Sequence, residues 1–538
     1  MFAARNKRVL IADEPGLGKT LQSIAAVVQS TGPGDSILVV APKTAVLISW
    51  PAELRRWLVD VAPHDRIVTI GAGQEKIERL ETTVEVLKFI NDPGPHLGRQ
   101  WVLLSPNYLR FKCAVDEDGH FIYEKGKKVP IPVREAIKPL LSVQWDAVIV
   151  DEAHLTLSGS TNDLKKQSAQ SVGLTLLQTK PDALRIALSG TPFRGKHENL
   201  WGILHWLEPK KYRAYWKWTQ QHFFQFVDPM SGTTVLSDII SEKALYEEVS
   251  DLMVRRTKGE VAKDLPPKFY GGTPHDPKKL PPPGLSPEQV AKWYYRENPI
   301  AVWLDMEPAQ AKAYNEMVTS AMARIEGGTL MANGILAEMI RLKQFANSLG
   351  LLDEDLNFFP KLPSNKFNWI VQFLSERGID GKGPGVSKVL IGSQFTRHIK
   401  LFEKELNNLK IPTFSLTGLT NDKDRTRMAE AFQSNSMAPF GLDGPAPDVF
   451  LLNMKAGGTA ITLDAADDVV VLDRTFVHDE QEQFEDRAHR ISRIHQVTVW
   501  DLISRGTIEE KALKAARKLN VSLKQVLDGE RGVEFAVS

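Results

Sequence analysis

Residues 8–30 read RVLIADEPGLGKTLQSIAAVVQS. An apolar run, Arg8–Ala12, leads into a turn, Asp13–Gly18, and then into a helix-like stretch, Leu21–Ser30, entered through Lys19-Thr20. Phosphate binding needs this order. Small residues let backbone N–H groups approach the oxygens, and a helix N-terminus favours an anion. In such a loop Gly16 and Gly18 shape the cradle, Lys19 reaches the β- and γ-phosphates, and the Thr20 hydroxyl ligates Mg²⁺. The strict phosphate-loop pattern has glycine where Asp13 stands, so a plain glycine turn is the alternative. The Gly-Lys-Thr triplet between strand and helix favours the phosphate reading, with Mg²⁺ beside the bound phosphates.

Outward from this unit the chain alternates short apolar strands with amphipathic helices, twice over. The first set of strands is Arg8–Ala12, Ser36–Ala41, Arg66–Ile70, Trp101–Ser105, Ala147–Val150 and Arg185–Leu188. The second is Lys388–Ser393, Thr413–Leu416, Val449–Asn453, Val469–Leu472 and Thr498–Ile503. Near-continuous apolar runs such as Ala147–Val150 belong to strands buried on both faces, hence to parallel α/β layers. Between the sets, residues 196–260 read as a helical insertion carrying Trp201, Trp206, Trp216 and Trp218. Residues 261–305 hold Pro274, Pro277, Pro281, Pro282, Pro283 and Pro287, and read as a linker or brace. The organisation expected is one α/β lobe over 1–195, the insertion, the brace, a second helical segment over 306–360, a second lobe over 361–510, and a basic tail over 511–538.

Composition bounds the class. The chain has 538 residues, 42% hydrophobic and 25% charged, enough for three or four domains. Its single cysteine, Cys113, forms no internal disulfide, and no apolar run nears the length that spans a bilayer. A soluble intracellular protein is expected, cytoplasmic, or nuclear in a eukaryote. Lys and Arg total 67 against 66 Asp and Glu, which excludes a polycation but not a local basic groove. The cluster of Trp201, Trp206, Tyr212, Tyr215, Trp216 and Trp218 among basic residues suits either base stacking or a helical core. Helical spacing favours the core.

Two further motifs carry chemistry. Asp151-Glu152-Ala153-His154 follows the strand Ala147–Val150, and ligands of such sheets sit at the carboxyl ends of strands. Asp151 suits Mg²⁺, and Glu152 suits a base or orienter for the attacking water. The other motif is Gln483–Arg490, where Arg487 and Arg490 would share a helix face. Arginines presented to a transferring phosphoryl group stabilise its charge; an ordinary ion-paired surface helix is the alternative.

Together these pieces resemble the SWI/SNF family of superfamily 2 helicase-like, DNA-dependent ATPases, over nearly the whole chain and in the family's motif order. The loop has the family form Asp-Glu-x-Gly-Leu-Gly-Lys-Thr, which accounts for Asp13. Motif Ia is similar to Val40–Thr44, followed by the family-like Trp50-Pro51-Ala52-Glu53-Leu54-Arg55-Arg56-Trp57. Leu104–Tyr108 is similar to the family's Ser-Tyr motif, with Pro106-Asn107 inserted. Motif III is Leu188–Pro192, and the run Leu252–Lys258 with Leu265–Lys268 sets the family apart from other helicases. Motif IV resembles Val389–Phe395, motif V Lys455–Ala460 and motif VI Gln483–Arg490. The departures are Phe476-Val477-His478 for Trp-Asn-Pro, Ser492-Arg493 for Gly-Gln, and Ala460 for glycine. Only eleven residues precede Ala12, and the family's upstream glutamine motif is not among them: either the chain begins late or adenine is held differently.

The resemblance implies two RecA-like parallel-sheet lobes with helical insertions between them, and ATP bound in the cleft between lobes. It makes Lys19, Asp151, Glu152, Arg487 and Arg490 catalytic. Gly16, Gly18, Lys19, Thr20 and Gln483 bind the nucleotide, and Thr20 and Asp151 hold the metal. DNA contacts fall to Lys43, Thr44, Ser105, Ser393, Gln394, Lys455, Ala456 and Gly457. His154, Ser189 and Thr191 couple the sites. The function expected is an ATP-dependent motor on double-stranded DNA, monomeric, resembling small prokaryotic, viral or annealing-helicase-like branches. An RNA helicase, the motor subunit of a defence complex, and a non-catalytic nucleotide-binding module are the rivals.

Overall fold

The strands read from the sequence build two separate sheets. The computed structural model describes residues 2–514, apart from 72–77, 81–82, 93–97, 115, 117–121, 125–126, 135–136, 158–168, 194–198, 228–233, 267, 327, 333–334, 355–356, 382–384, 386, 456–460, 476–477 and 491–492. The chain divides into two units at Val261–Ala262.

The first unit holds strands β1 (Arg8–Ile11), β2 (Ser36–Val40), β3 (Arg66–Ile70), β4 (Glu78–Leu80), β5 (Gln100–Leu104), β6 (Trp145–Val150), β7 (Thr179–Leu188) and β8 (Met253–Val254). They form one sheet in the order β8-β1-β7-β6-β2-β5-β3-β4, every pairing parallel. Its carboxyl edge therefore presents, strand by strand, the phosphate loop after β1, Ser189 after β7, Asp151 after β6, Lys43 after β2 and Ser105 after β5. Neighbouring strands lie about 4.8 Å apart, so motifs distant in sequence become neighbours.

The second unit holds β9 (Lys268–Tyr270), β10 (Thr273–Pro274), β11 (Ile300–Leu304), β12 (Val389–Ser393), β13 (Thr413–Leu416), β14 (Val449–Asn453), β15 (Asp468–Val471) and β16 (Val497–Ser504). The order is β10-β11-β16-β15-β12-β14-β13, with β9 also on β16; only the pairing of β10 with β11 is antiparallel among these strands. Alternate residues enter different cores. Leu390, Phe450 and Val469 pack on one face, and Val389, Ile391, Val449 and Val470 on the other. That double burial is why these strands lack a polar face in the sequence.

Three segments differ from expectation. In residues 306–360 the helices Pro308–Ser320 and Ile335–Asn347 are accompanied by two antiparallel hairpins, Met322–Ile325 with Gly328–Met331 and Leu349–Leu352 with Phe358–Lys361. The proline-rich stretch supplies β9, β10 and β11 to the second sheet. Its prolines lie between these strands or, as Pro274, on the short outermost one, where a missing N–H breaks no inner ladder. Residues 196–260 are helical over Asn199–Leu207, Tyr215–His222 and Glu242–Ser250, but Phe223–Val227 and Thr234–Ile239 pair as an antiparallel hairpin. Aromatic and β-branched residues favour that pairing. Trp201, Trp206, Tyr212, Tyr215 and Trp218 are buried there as a core, while Trp216 is 47% exposed. The basic tail lies outside the described residues from 515 onward.

Candidate active site

The phosphate loop is built by backbone conformation. Gly16 and Gly18 have φ of +88° and +73°, values that side-chain-bearing residues rarely adopt. A β-carbon at Gly18 would meet nothing within 4 Å, so conformation rather than space calls for glycine there. Gly18 caps the helix Lys19–Ser30 without a side-chain bond, leaving the first-turn N–H groups for an anion. The Lys19 Nζ donates to the carbonyls of Asp13 at 2.8 Å and Glu14 at 3.3 Å, folded over the loop. Burial pulls the ammonium's pKa down, while the charges of Glu152 and Asp151 oppose that shift. The sheet order, with β7 alone between β1 and β6, sets both carboxylates beside the loop.

The structure gives Asp13 a physical reason. Its carboxylate is fully buried and receives the Arg256 backbone N–H at 2.9 Å, the Arg256 Nε at 3.1 Å and the Gln22 Nε2 at 2.8 Å. Arg255 donates to the Ala12 carbonyl at 2.6 Å and pairs with Glu14 at 3.6 Å, and the Lys258 N–H donates to Glu14 Oε2 at 2.7 Å. Leu252, Val254 and Arg256 accept backbone bonds from Leu10, Ala12 and Glu14. The run Leu252–Lys258 is thus laid along β1 and its loop. Asp13 and Arg256 form a charged, hydrogen-bonded clamp across 243 positions.

Asp151 is held through both oxygens. The Trp50 indole N–H donates to Oδ2 and the Glu152 backbone N–H to Oδ1, each at 2.9 Å. Burial raises the Asp151 pKa, and these two bonds and Lys19 work against the rise. Glu152 sits at φ +46° and ψ 51°, a left-handed conformation that stores strain at a non-glycine residue. His154 Nδ1 lies 2.8 Å from Ser189 Oγ and 3.4 Å from Glu152 Oε2. Ser189 Oγ in turn accepts the Thr191 N–H at 3.2 Å. A β-carbon at Gly190 would stand 3.1 Å from the Pro15 ring and 3.3 Å from the Lys19 Nζ, so glycine permits this turn to lie on the phosphate loop. Glu152, His154, Ser189 and the Thr191 N–H therefore lie along one polar chain, and Gly190 within its turn rests against the loop. Thr20, the other expected metal ligand, is the second residue of the loop helix. Its hydroxyl, the carboxylates and the ammonium make a donor set that fits Mg²⁺ and a triphosphate.

The expected DNA contacts divide. Lys43 is exposed and Thr44 half-buried, at the start of a helical run extending to Leu58. Lys455 is exposed after β14; Ala456 and Gly457 lie outside the described residues. The other three are turned inward. Ser105 is buried and caps the turn Pro106–Leu109. Ser393 is fully buried with its hydroxyl donating to Asp473, and Gln394 gives Asp473 Oδ1 both its backbone N–H at 2.8 Å and its side-chain N–H at 2.9 Å. Groups so engaged hold turns rather than face a phosphate.

In the second unit the helix His478–Glu485 carries Gln483, half-buried, but ends before the arginines. Arg487 and Arg490 lie on the following turn instead of one helix face. Bonds from Arg487 to Phe484 and from Ala488 to Glu485, three residues back, tighten the chain there. The helix end is fixed from outside: Lys268 Nζ reaches Glu485 Oε2 at 2.6 Å, and His489 Nε2 lies 2.8 Å from the Pro266 carbonyl. Burial alone would raise the Glu485 carboxyl, but Lys268, Arg474 and Gln481 hold it below its usual range. Arg487 is buried with Nη1 3.4 Å from the Ile461 carbonyl, and burial lowers the Arg490 pKa. Of the departures from the family, Phe476, Val477, Ser492 and Ala460 lie outside the described residues.

Residue-by-residue reading assigned no role to Trp50, Arg255, Arg256, Lys268 or Asp473. Each acts through a partner far away in sequence, and only the paired arginines at 255–256 facing a non-glycine at position 13 offered a hint.

Comparison with known proteins shows the same division. The SNF2-related domain matches residues 2–271, and the helicase conserved C-terminal domain matches residues 365–492. The chain is 24% identical over 536 residues to the probable ATP-dependent DNA helicase CHR12 of Arabidopsis thaliana, covering 97% of this chain and 40% of that protein. It is 24% identical over 523 residues to the uncharacterized ATP-dependent helicase MG018 of Mycoplasma genitalium, covering 96% and 40%. With chromodomain-helicase-DNA-binding protein 1 of Gallus gallus it shares 25% over 539 residues, covering 96% and 25%. It therefore spans less than half the length of these relatives. Among solved structures, the Sulfolobus solfataricus SWI2/SNF2 ATPase core in complex with dsDNA is 22% identical, with a TM-score of 0.36 over 100% of this chain and 92% of that one.

Proposed function

The chain belongs to the family of SNF2-related domains, and from that premise we propose that it is a DNA-dependent ATPase. It moves along double-stranded DNA and remodels DNA or protein–DNA complexes. The observation that carries the reading is the meeting of Lys19, Asp151, Glu152 and Gly190 at the carboxyl ends of β1, β7 and β6.

The first-turn N–H groups after Gly18 cradle the phosphates of ATP, and Lys19 exchanges its loop carbonyls for the β- and γ-phosphate oxygens. Thr20 and Asp151 would hold Mg²⁺. When bound, the ion withdraws charge from the phosphoryl oxygens. Glu152 orients the attacking water and accepts its proton. Arg487 and Arg490 of the second unit neutralise the charge that spreads over the transferring group, a contribution worth about 10³–10⁵ in rate for an arginine so placed. Because these groups come from two units, turnover requires both to engage one nucleotide. Duplex DNA held by Lys43, Thr44 and Lys455 favours that engaged state, which makes hydrolysis DNA-dependent by linkage.

The test is ATP turnover by the full chain with duplex DNA, single-stranded DNA, RNA or no nucleic acid. Duplex DNA should stimulate most, and Glu152→Gln should reduce turnover by about 10²–10⁴-fold, the range for removing a general base, while nucleotide binding persists. Preferential stimulation by RNA would replace this reading with an RNA helicase. Turnover indifferent to Glu152→Gln would end the enzymatic assignment.

A further inference from the structure

The helical run from Lys43 to Leu58 contains one irregular turn, a π-turn over Ala45–Ser49. Its cause is Pro51. Proline has no N–H to give to the carbonyl four residues back, and its ring collides with that carbonyl in a regular helix. The wider turn relieves the collision, and the Trp50 N–H closes it on the Ala45 carbonyl, five residues back. Immediately beyond this turn Trp50 is fully buried, with its indole N–H 2.9 Å from Asp151 Oδ2. The Glu152 N–H occupies the other oxygen at 2.9 Å. Two donors on opposite oxygens fix the plane of the carboxylate, and each oxygen keeps a lone-pair direction for a metal-bound water.

The same run begins at Lys43 and Thr44, beside Asp151 because β2 and β6 are neighbours in the sheet. Reversion of a π-turn to regular helix shifts the register by one residue and swings the downstream residues by about 100°. Such a shift between Thr44 and Trp50 takes the indole off the carboxylate. We propose that Trp50 is a positioning residue for Asp151, setting the carboxylate for nucleotide-bound Mg²⁺, and that Pro51, by keeping the turn wide, holds the indole on it. This rests on the proposed reading of the site as a DNA-dependent ATPase.

Trp50→Phe keeps an aromatic ring and removes the N–H. In the full chain, binding of a non-hydrolysable ATP analogue is measured by titration in EDTA and across Mg²⁺ concentrations, beside duplex-stimulated turnover. Affinity in EDTA should stay at the wild-type value. The gain in affinity that Mg²⁺ brings should fall about tenfold or more, the size seen when an outer partner of a metal ligand is lost. In an Asp151→Asn background the same change should have no further effect. A folded Trp50→Phe protein with the wild-type Mg²⁺ gain, or an additive loss in the Asp151→Asn background, overturns the proposal. Should Trp50→Phe fail to fold, Pro51→Ala decides: it lets the turn relax and so takes the indole off Asp151, the Mg²⁺ gain should fall as for Trp50→Phe, and a wild-type gain would overturn the proposal. A wild-type protein that duplex DNA does not stimulate sinks the underlying reading. A stimulated wild type beside an unaltered Trp50→Phe sinks this inference alone.

Discussion

His398 is fully buried in the second unit, its Nε2 3.2 Å from Ser348 Oγ and its ring near those of Phe358 and Phe395. Burial is the main cause that takes its pKa from 6.5 down to about 4; Asp473 opposes the shift and Lys366 adds to it. The folded state therefore binds this proton more weakly than the unfolded chain. Above pH 6.5 neither state is charged and the residue leaves stability unaltered. As pH falls below 6.5 the unfolded chain takes up the proton first, and stability is lost until the folded imidazole titrates near 4. The loss approaches about 3 kcal/mol, at about 1.4 kcal/mol for each pH unit between the two values. Urea unfolding of wild type and His398→Leu at pH 7, 6 and 5 should show the gap between them shrinking in favour of the variant as pH falls. A gap that stays constant would refute it. Little of this is visible in the sequence, where His398 is one histidine on an amphipathic helix. The phosphate loop is the opposite case: the glycines, lysine and threonine must be consecutive to work, so a linear reading finds them. Asp13 stands between. Its departure from the general loop pattern was plain, but its reason, Arg256, lies 243 positions away.

Elements were legible where period and length agree. The inner strands β2, β12 and β14 appear as unbroken apolar runs because both their faces are covered. Strand β9 did not, being three residues long and directly after prolines. Its place comes from pairing with β16 and from Lys268, which reaches across to the buried Glu485. That ion pair pins the end of the helix His478–Glu485, just before Arg487. Removing the lysine charge leaves a carboxylate in a site closed to water, and breaking a buried pair from one side costs about 3–5 kcal/mol. Lys268→Met should lower the urea stability of the second unit by about that amount, and Lys268→Met with Glu485→Gln should recover part of it. If the single change proves neutral, the strand is an ornament on the sheet and not a brace for the arginine turn. The expectation that Arg487 and Arg490 share a helix face failed for a related reason. Spacing of three residues fits a helix as well as a tight turn, and the tertiary bonds of Glu485 and His489 decide between them.

At the scale of the molecule, sheet order does what sequence order conceals. Placing β7 between β1 and β6 sets Gly190 against the loop and both acids beside it, although 138 positions separate Asp13 from Asp151 (151 − 13). Each unit has its own buried apolar clusters among the described residues, and the one about the first sheet draws its buried members from residues 3–188. The phosphate loop, Trp50, both acids, the His154–Ser189 link and the Arg255–Arg256 clamp all belong to residues 1–261. A fragment of residues 1–261 should therefore unfold cooperatively and bind ATP with a Mg²⁺-dependent gain. It should hydrolyse ATP at least about 10³-fold more slowly than the full chain, because Arg487 and Arg490 are missing. Adding duplex DNA should change its turnover little if, as proposed, stimulation acts through engagement of the second unit. Thermal melts, nucleotide titration and phosphate release on the fragment measure the three expectations separately. Binding without turnover supports a site completed by the second unit. Turnover at the full-chain rate would mean that the first unit holds the entire machinery, and that the arginines serve the fold of their own sheet.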